Sequence, residues 1–116
     1  MKNKVYHLST CDTCKRILNE VSLPENTTLQ NIKEQPISEK ELEELHQLAG
    51  SYESLFNKRA QLYKQRDLKN KNLSEKDYKD LILEHYTFLK RPVFVVKNQA
   101  FIGNSKKTVA SLKENL

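Results

Sequence analysis

The chain has 116 residues, 37% hydrophobic and 30% charged, and its 20 Lys and Arg against 15 Asp and Glu give a net charge of +5. That length suits one domain with a single core, and the clustering of Leu, Ile, Val, Phe and Tyr argues against disorder. No apolar run approaches the roughly 18 residues of a membrane span, and the basic start MKNKVYHLST is too poor in apolar residues for a secretory leader, so a cytoplasmic protein with no membrane partner is expected.

Val5 to Leu8 predicts a short strand that stops at Ser9-Thr10. From Asp12 the period changes, and Ile17, Leu18 and Val21 form a narrow helical stripe that ends before Pro24. The run TTLQNIK, with Leu29 and Ile32, reads as a second strand. Strand, helix and strand in this order predict a βαβ unit with a right-handed crossover and a parallel strand pair. Ser38 and Glu41 make a capping box for a helix carrying Leu42, Leu45, Leu48 and Ala49, and Gly50 suits its C-cap. Ser51 is expected to cap a further helix, and Ser74 a longer one in which Tyr78, Leu81, Ile82 and His85 share a face. That helix must end before Pro92. RPVFVVKNQAFI then predicts two antiparallel strands joined at Asn98-Gln99. After the break at Gly103-Asn104-Ser105, a final helix should point Val109 and Leu112 inward.

Both cysteines lie between the first strand and the first helix, as Cys11 and Cys14. A helix N-terminus presents unpaired N–H groups and the positive end of the helix dipole, which favour a thiolate over a thiol. Lowering the thiol pKa from about 8.5 to about 6–7 would raise the thiolate fraction at neutral pH from a few per cent to roughly half or more. Cys14, one turn further on, is placed to attack a mixed disulfide formed at Cys11. Asp12 opposes thiolate formation, whereas Lys15 and Arg16 favour it. Two other readings of the pair are half a zinc site and a pair of inert thiols. His7, His46 and His85 lack the spacing to complete a zinc site, and a Cys-x-x-Cys at a strand-to-helix junction favours redox chemistry over inert thiols. His7 is read as a strand residue, and the tyrosines as packing.

From Phe56 to Lys79 eight basic residues face only Asp67, Glu75 and Asp77, which accounts for the whole charge excess. This reads as a solvated helical face. No zinc-finger spacing, RNP-like aromatic pattern or basic-zipper heptad accompanies it, so direct nucleic-acid binding is not expected.

Together YHLSTCDTCKRIL, FNKRAQLYK and LILEHYTFLKRPVFVV…FIGNSKKTV resemble the arsenate reductase (ArsC) family, over nearly the full chain. That family includes glutaredoxin-linked arsenate reductases and the Spx transcriptional regulators. The resemblance implies an α/β, thioredoxin-like fold, βαβ…ββα around a mixed sheet, as a single domain over 1–116 with a helical insertion at about 38–88. It also implies that Cys11 is the nucleophile, Arg91 an anion-binding arginine and Pro92 a cis-proline facing the cysteine loop. Arsenate reductases of the family resemble one another in three arginines around the nucleophile. Arg91 matches the second; the first falls at Asn57, with Arg59 two residues on, and the third at Asn104. Each charge-assisted donor lost from an oxyanion site costs about 1.5–3 kcal/mol.

Two functions follow from the resemblance. One is a thiol oxidoreductase in which Cys11 attacks, Cys14 resolves, and Arg91 with Arg59 steadies the thiolate or a small oxyanion. It would hold no bound cofactor and draw electrons from glutathione or a thioredoxin- or glutaredoxin-type partner. The other is a Spx-like regulator whose Cys11–Cys14 disulfide switches binding to RNA polymerase. Those regulators carry a tail beyond the position of Leu116, which favours the enzyme.

Overall fold

A computed structural model describes residues 3–116, so the basic start at Met1 and Lys2 lies outside the described residues. The chain forms two compact units, one running up to Gln35 and resuming at Arg91–Leu116, the other spanning Pro36–Lys90. Among the described residues no helix is long and apolar enough to cross a membrane.

The first unit holds β1 (Lys4–His7), α1 (Asp12–Glu20), β2 (Thr28–Asn31), β3 (Val93–Val96), β4 (Gln99–Ile102) and α5 (Lys106–Glu114). Its sheet has the order β2-β1-β3-β4. The α1 crossover makes β1 and β2 parallel, as expected of a βαβ unit, while β3 runs antiparallel to both β1 and β4. Ile17 and Val21 bury the apolar stripe of α1 against Val5, Phe94, Val96, Phe101 and Leu112, with Leu18 and Val109 at the margin. Each fully buried aliphatic or aromatic side chain of this set contributes roughly 1.5–3 kcal/mol.

The hairpin turn falls one residue before the expected Asn98-Gln99. Val96 pairs with Gln99, which leaves Lys97 and Asn98 as the two-residue loop. Both are left-handed, at φ 51° and 62°. A type I′ two-residue loop, whose backbone matches the twist of its strands, requires positive φ at both positions. Asn accepts that region readily; Lys does so at a cost of about 1–2 kcal/mol.

The second unit contains α2 (Glu39–Ala49), α3 (Gln61–Gln65) and α4 (Glu75–Glu84). The Ser38–Glu41 capping box forms and Gly50 adopts the left-handed C-cap at φ 89°. The helix expected from Ser51 is only a 3₁₀ turn at Glu53–Leu55. Ser51 Oγ does accept from Ser54 N–H at 3.1 Å, but Phe56 then turns extended and bridges to Leu89. The reason is packing: the Phe56 ring stacks on Phe88 at 5.2 Å and meets Tyr78 at 4.9 Å and Tyr63 at 5.9 Å. From its Ser74 cap α4 runs only to Glu84, and a separate turn at Tyr86–Phe88 follows. In the basic segment, Lys58, Arg66 and Lys79 pair with Glu53, Glu84 and Glu39 at the surface. Exposed pairs of this kind contribute about 0–1 kcal/mol each.

Lys97→Gly should stabilise the protein by about 0.5–1 kcal/mol, because relief of the left-handed strain exceeds the added freedom of the unfolded chain. Urea unfolding checks this: the midpoint should rise with an unchanged slope. A lower midpoint would contradict the turn geometry.

Candidate active site

Antiparallel pairing sets Tyr6 opposite Val93, so the loop leaving β1 and the residues entering β3 share one end of the sheet. The loop carries Cys11 and Cys14, and the entry to β3 carries Arg91 and Pro92, joined by a cis peptide bond. Two more segments reach this end. Parallel pairing places Asn31 opposite His7, and Gly103 N–H donates to the Pro92 carbonyl at 2.9 Å, leading into exposed Asn104.

The loop itself is a tight turn, closed by Cys11 N–H donating to the Leu8 carbonyl at 3.0 Å. That turn delivers Cys11 as the N-cap of α1, with extended backbone angles. A Ser or Asp at this position would satisfy the orphan N–H groups of the first turn with its oxygen. The Cys11 thiol makes no regular capping bond, which leaves those donors available to a thiolate. Cys14 falls on the stripe of α1 that continues through Ile17, and is fully buried, whereas Cys11 is half-buried.

These placements drive the two thiols in opposite directions. Burial alone would raise the Cys11 pKa. The Cys14 N–H and thiol, the Arg91 charge and the Thr13 N–H together outweigh it and bring the pKa below the ordinary thiol value. For Cys14 burial dominates. The Leu8 N–H and the Arg91 charge act against it, but the neighbouring Cys11 sulfur adds to it, and the thiol is pushed up to about 11. The cation that bears on both sulfurs is therefore Arg91. Lys15 and Arg16, favoured by their closeness in sequence, are exposed on the outer side of α1. Burial lowers the His7 pKa and keeps the ring neutral near pH 7.

Arg59 belongs to the helical unit, where it is exposed. Asn57, at the position of the family's first arginine, is committed within the helical unit. Its Nδ2 donates to the Thr87 carbonyl at 3.2 Å and its Oδ1 accepts from Arg59 N–H at 3.0 Å. Among the described residues no group of three or more His, Cys, Asp or Glu is arranged to hold a metal ion. One contact at the thiol end had no local signature beyond an asparagine closing a strand: Asn31 reaches across to Ser9 in the cysteine loop.

The ArsC family model matches residues 6–112. Among solved structures, an ArsC family related protein from Bacteroides fragilis is similar at a TM-score of 0.76 and 23% identity, over 97% of this chain and 100% of that one. An arsenate reductase from Vibrio cholerae is similar at a TM-score of 0.75 and 22% identity, over 100% of this chain and 98% of its own. A protein from Staphylococcus aureus gives a TM-score of 0.73 at 24% identity, over 94% and 96% respectively. At such identities the likeness shows the fold, which is thioredoxin-like. Among curated proteins no match is found.

The buried Cys14 thiol has a pH signature in stability. Its folded pKa, about 11, lies above the value of about 8.5 expected in an unfolded chain. The folded state therefore holds a proton that the unfolded state has already released. This contribution is complete below about pH 8.5 and is lost as pH rises toward 11. Denaturant midpoints measured across that window should fall more steeply in the wild type than in Cys14→Ser. Parallel curves would show that Cys14 is not buried as a neutral thiol.

Proposed function

The chain belongs to the ArsC family, matched over residues 6–112, and we propose that it is a thiol–disulfide oxidoreductase with Cys11 as nucleophile and Cys14 as resolving thiol. The observation that carries this reading is the opposite displacement of two thiols one helical turn apart, Cys11 made more acidic and Cys14 less so. The thiolate is the attacking form, so at neutral pH attack falls to Cys11.

In the first step the Cys11 thiolate attacks one sulfur of a substrate disulfide. A Cys11–substrate mixed disulfide forms, and the second substrate sulfur departs as a thiolate that takes up a proton. This step changes Cys14. Part of what raises its pKa is the hydrogen bond and negative charge of the Cys11 sulfur, and both vanish once Cys11 is in a mixed disulfide. The Arg91 charge, which favours ionisation, remains. Cys14 then gives up its proton and attacks the Cys11 sulfur, releasing the substrate sulfur held in the mixed disulfide as a thiolate and closing the Cys11–Cys14 disulfide. Two electrons have passed to the substrate. Glutathione, or a dithiol protein of the thioredoxin or glutaredoxin type, returns them.

A small oxyanion is a weaker substrate for this site. Arg91, together with the N–H groups at the start of α1, can hold an anion. The amide of Asn57 is already used within the helical unit, and Asn104 brings no charge. Cys14 supports a second reading, in which the same disulfide is the switch of a Spx-like regulator with RNA polymerase as partner. Recovery of polymerase subunits from lysate by the oxidised protein alone would favour it.

Glutathione disulfide distinguishes the roles of the thiols. The wild type should finish as an intramolecular disulfide, lighter by two hydrogens, while Cys14→Ser should stop as a glutathione adduct on Cys11. An adduct mapped to Cys14, or no disulfide in the wild type, would overturn the assignment.

Arsenate reduction with glutathione and glutaredoxin should be slow and should improve in Asn104→Arg, by roughly the ten- to hundredfold of one charge-assisted contact. Brisk turnover by the unaltered protein would mean that Arg59 and nearby lysines replace the missing donors.

A further inference from the structure

Asn31 ends β2, in register with His7 at the end of β1. Its side chain spans to the loop between His7 and Cys11 with both of its polar atoms. Nδ2 donates to Ser9 Oγ at 2.9 Å, and Oδ1 accepts from Ser9 N–H at 3.3 Å. Oδ1 also accepts from Lys33 N–H at 3.3 Å, and the Asn31 carbonyl accepts from Gln35 N–H at 2.9 Å. The amide is thus fixed from its own side before it reaches across 22 residues of sequence.

Ser9 is the first inner residue of the Leu8–Cys11 turn, and that turn positions both sulfurs. It delivers Cys11 to the N-cap of α1, and its Leu8 N–H is the backbone donor acting on Cys14. Hydrogen bonds to a thiolate depend steeply on distance and angle. A turn free to rock would hold the Thr13 and Cys14 N–H groups away from Cys11 for part of the time. The Ser9 backbone and hydroxyl are both held by one side chain, which opposes sliding and rotation of the turn together.

We propose that Asn31 is a positioning residue for the thiol site: its two-point grip on Ser9 holds the cysteine turn in the geometry that makes Cys11 reactive. This rests on the reading of Cys11 as nucleophile, and the wild-type arm of the test examines that reading separately. Asn has the right chemistry because one side chain must both donate and accept. Leu is nearly isosteric and does neither, so it isolates the polar function from the packing.

The test is the pH dependence of the reaction with 5,5′-dithiobis(2-nitrobenzoate), with Cys14→Ser as the parent so that one thiol reacts. In the parent, the inflection should lie below that of a free cysteine; if it does not, the nucleophile assignment fails and the clamp is moot. Adding Asn31→Leu should move the inflection to higher pH and slow the reaction at pH 7 by roughly three- to tenfold. Loss of stability alone would not move the inflection. Ser9→Ala removes only the hydroxyl contact and should move it less, in the same direction. In the Asn31→Leu background Ser9→Ala should add nothing further, since the partner is already gone. A folded Asn31→Leu protein with the parental inflection overturns the proposal. If Asn31→Leu fails to fold, a parental profile in Ser9→Ala overturns it, and a shifted one supports it.

Discussion

The chemistry at one end of the sheet depends on the pairing of β1 with β3. Cys11 and Arg91 are far apart along the chain, and no local element brings them together. Antiparallel alignment does so, because it sets the exit of β1 at Tyr6 beside the entry of β3 at Val93. The register is held by burial: Val5 opposite Phe94 lies in the apolar cluster with Ile17, Phe101 and Leu112. A slip of one residue would turn that set to the opposite face and away from α1 and α5. The same slip would carry Arg91 away from the cysteine turn, so the electrostatics of the site inherit the register of the core.

The contrast between the thiols comes from the amphipathicity of α1. Position 14 falls on the stripe that continues through Ile17, Leu18 and Val21, and it is drawn inward with them. Position 11 precedes the helix and stays at the surface, facing the N–H groups of the first turn. One helical segment thus gives one sulfur donors and partial solvent and gives the other an apolar surround. Arg91 acts on both in the same sense and therefore does little to separate them. The separation is made by burial and by the backbone.

What was legible in the residues followed the range of the interaction. The order of elements, the parallel βαβ pair, the Ser38–Glu41 capping box, the Ser74 helix start and the left-handed Gly50 are written in local spacing, and they form as read. The helix at Ser51 was misread because its cap is present but Phe56 is claimed by an aromatic cluster whose members lie up to 32 residues away in sequence. The hairpin turn was misplaced by one because Lys97 gives no turn signal of its own; pairing of Val96 with Gln99 imposes the positive φ. At the site, the two cysteines and their unequal exposure could be read from the strand-to-helix junction. The governing cation could not, since nearness in sequence pointed to Lys15 and Arg16, and only the family resemblance pointed to Arg91. Asn31 was invisible for the same reason, because its contact with Ser9 exists only once β2 lies in register beside β1.

The moderate tuning of Cys11 has a chemical consequence of its own. A thiolate stabilised very strongly is abundant but a poor nucleophile, and it becomes a good leaving group from its own mixed disulfide. Here burial opposes ionisation while two N–H groups, one thiol and one arginine favour it and together prevail. Three arginines around the sulfur would tip that balance toward a long-lived anion site suited to an oxyanion. In the proposed reaction, Arg91 as the one arginine acting on the sulfur leaves a thiol that ionises yet stays nucleophilic. In the proposed reaction Cys14 completes this arrangement, because loss of the Cys11 charge and hydrogen bond would remove part of what raises its pKa. Under that proposal the resolving step is held back until there is a mixed disulfide to resolve.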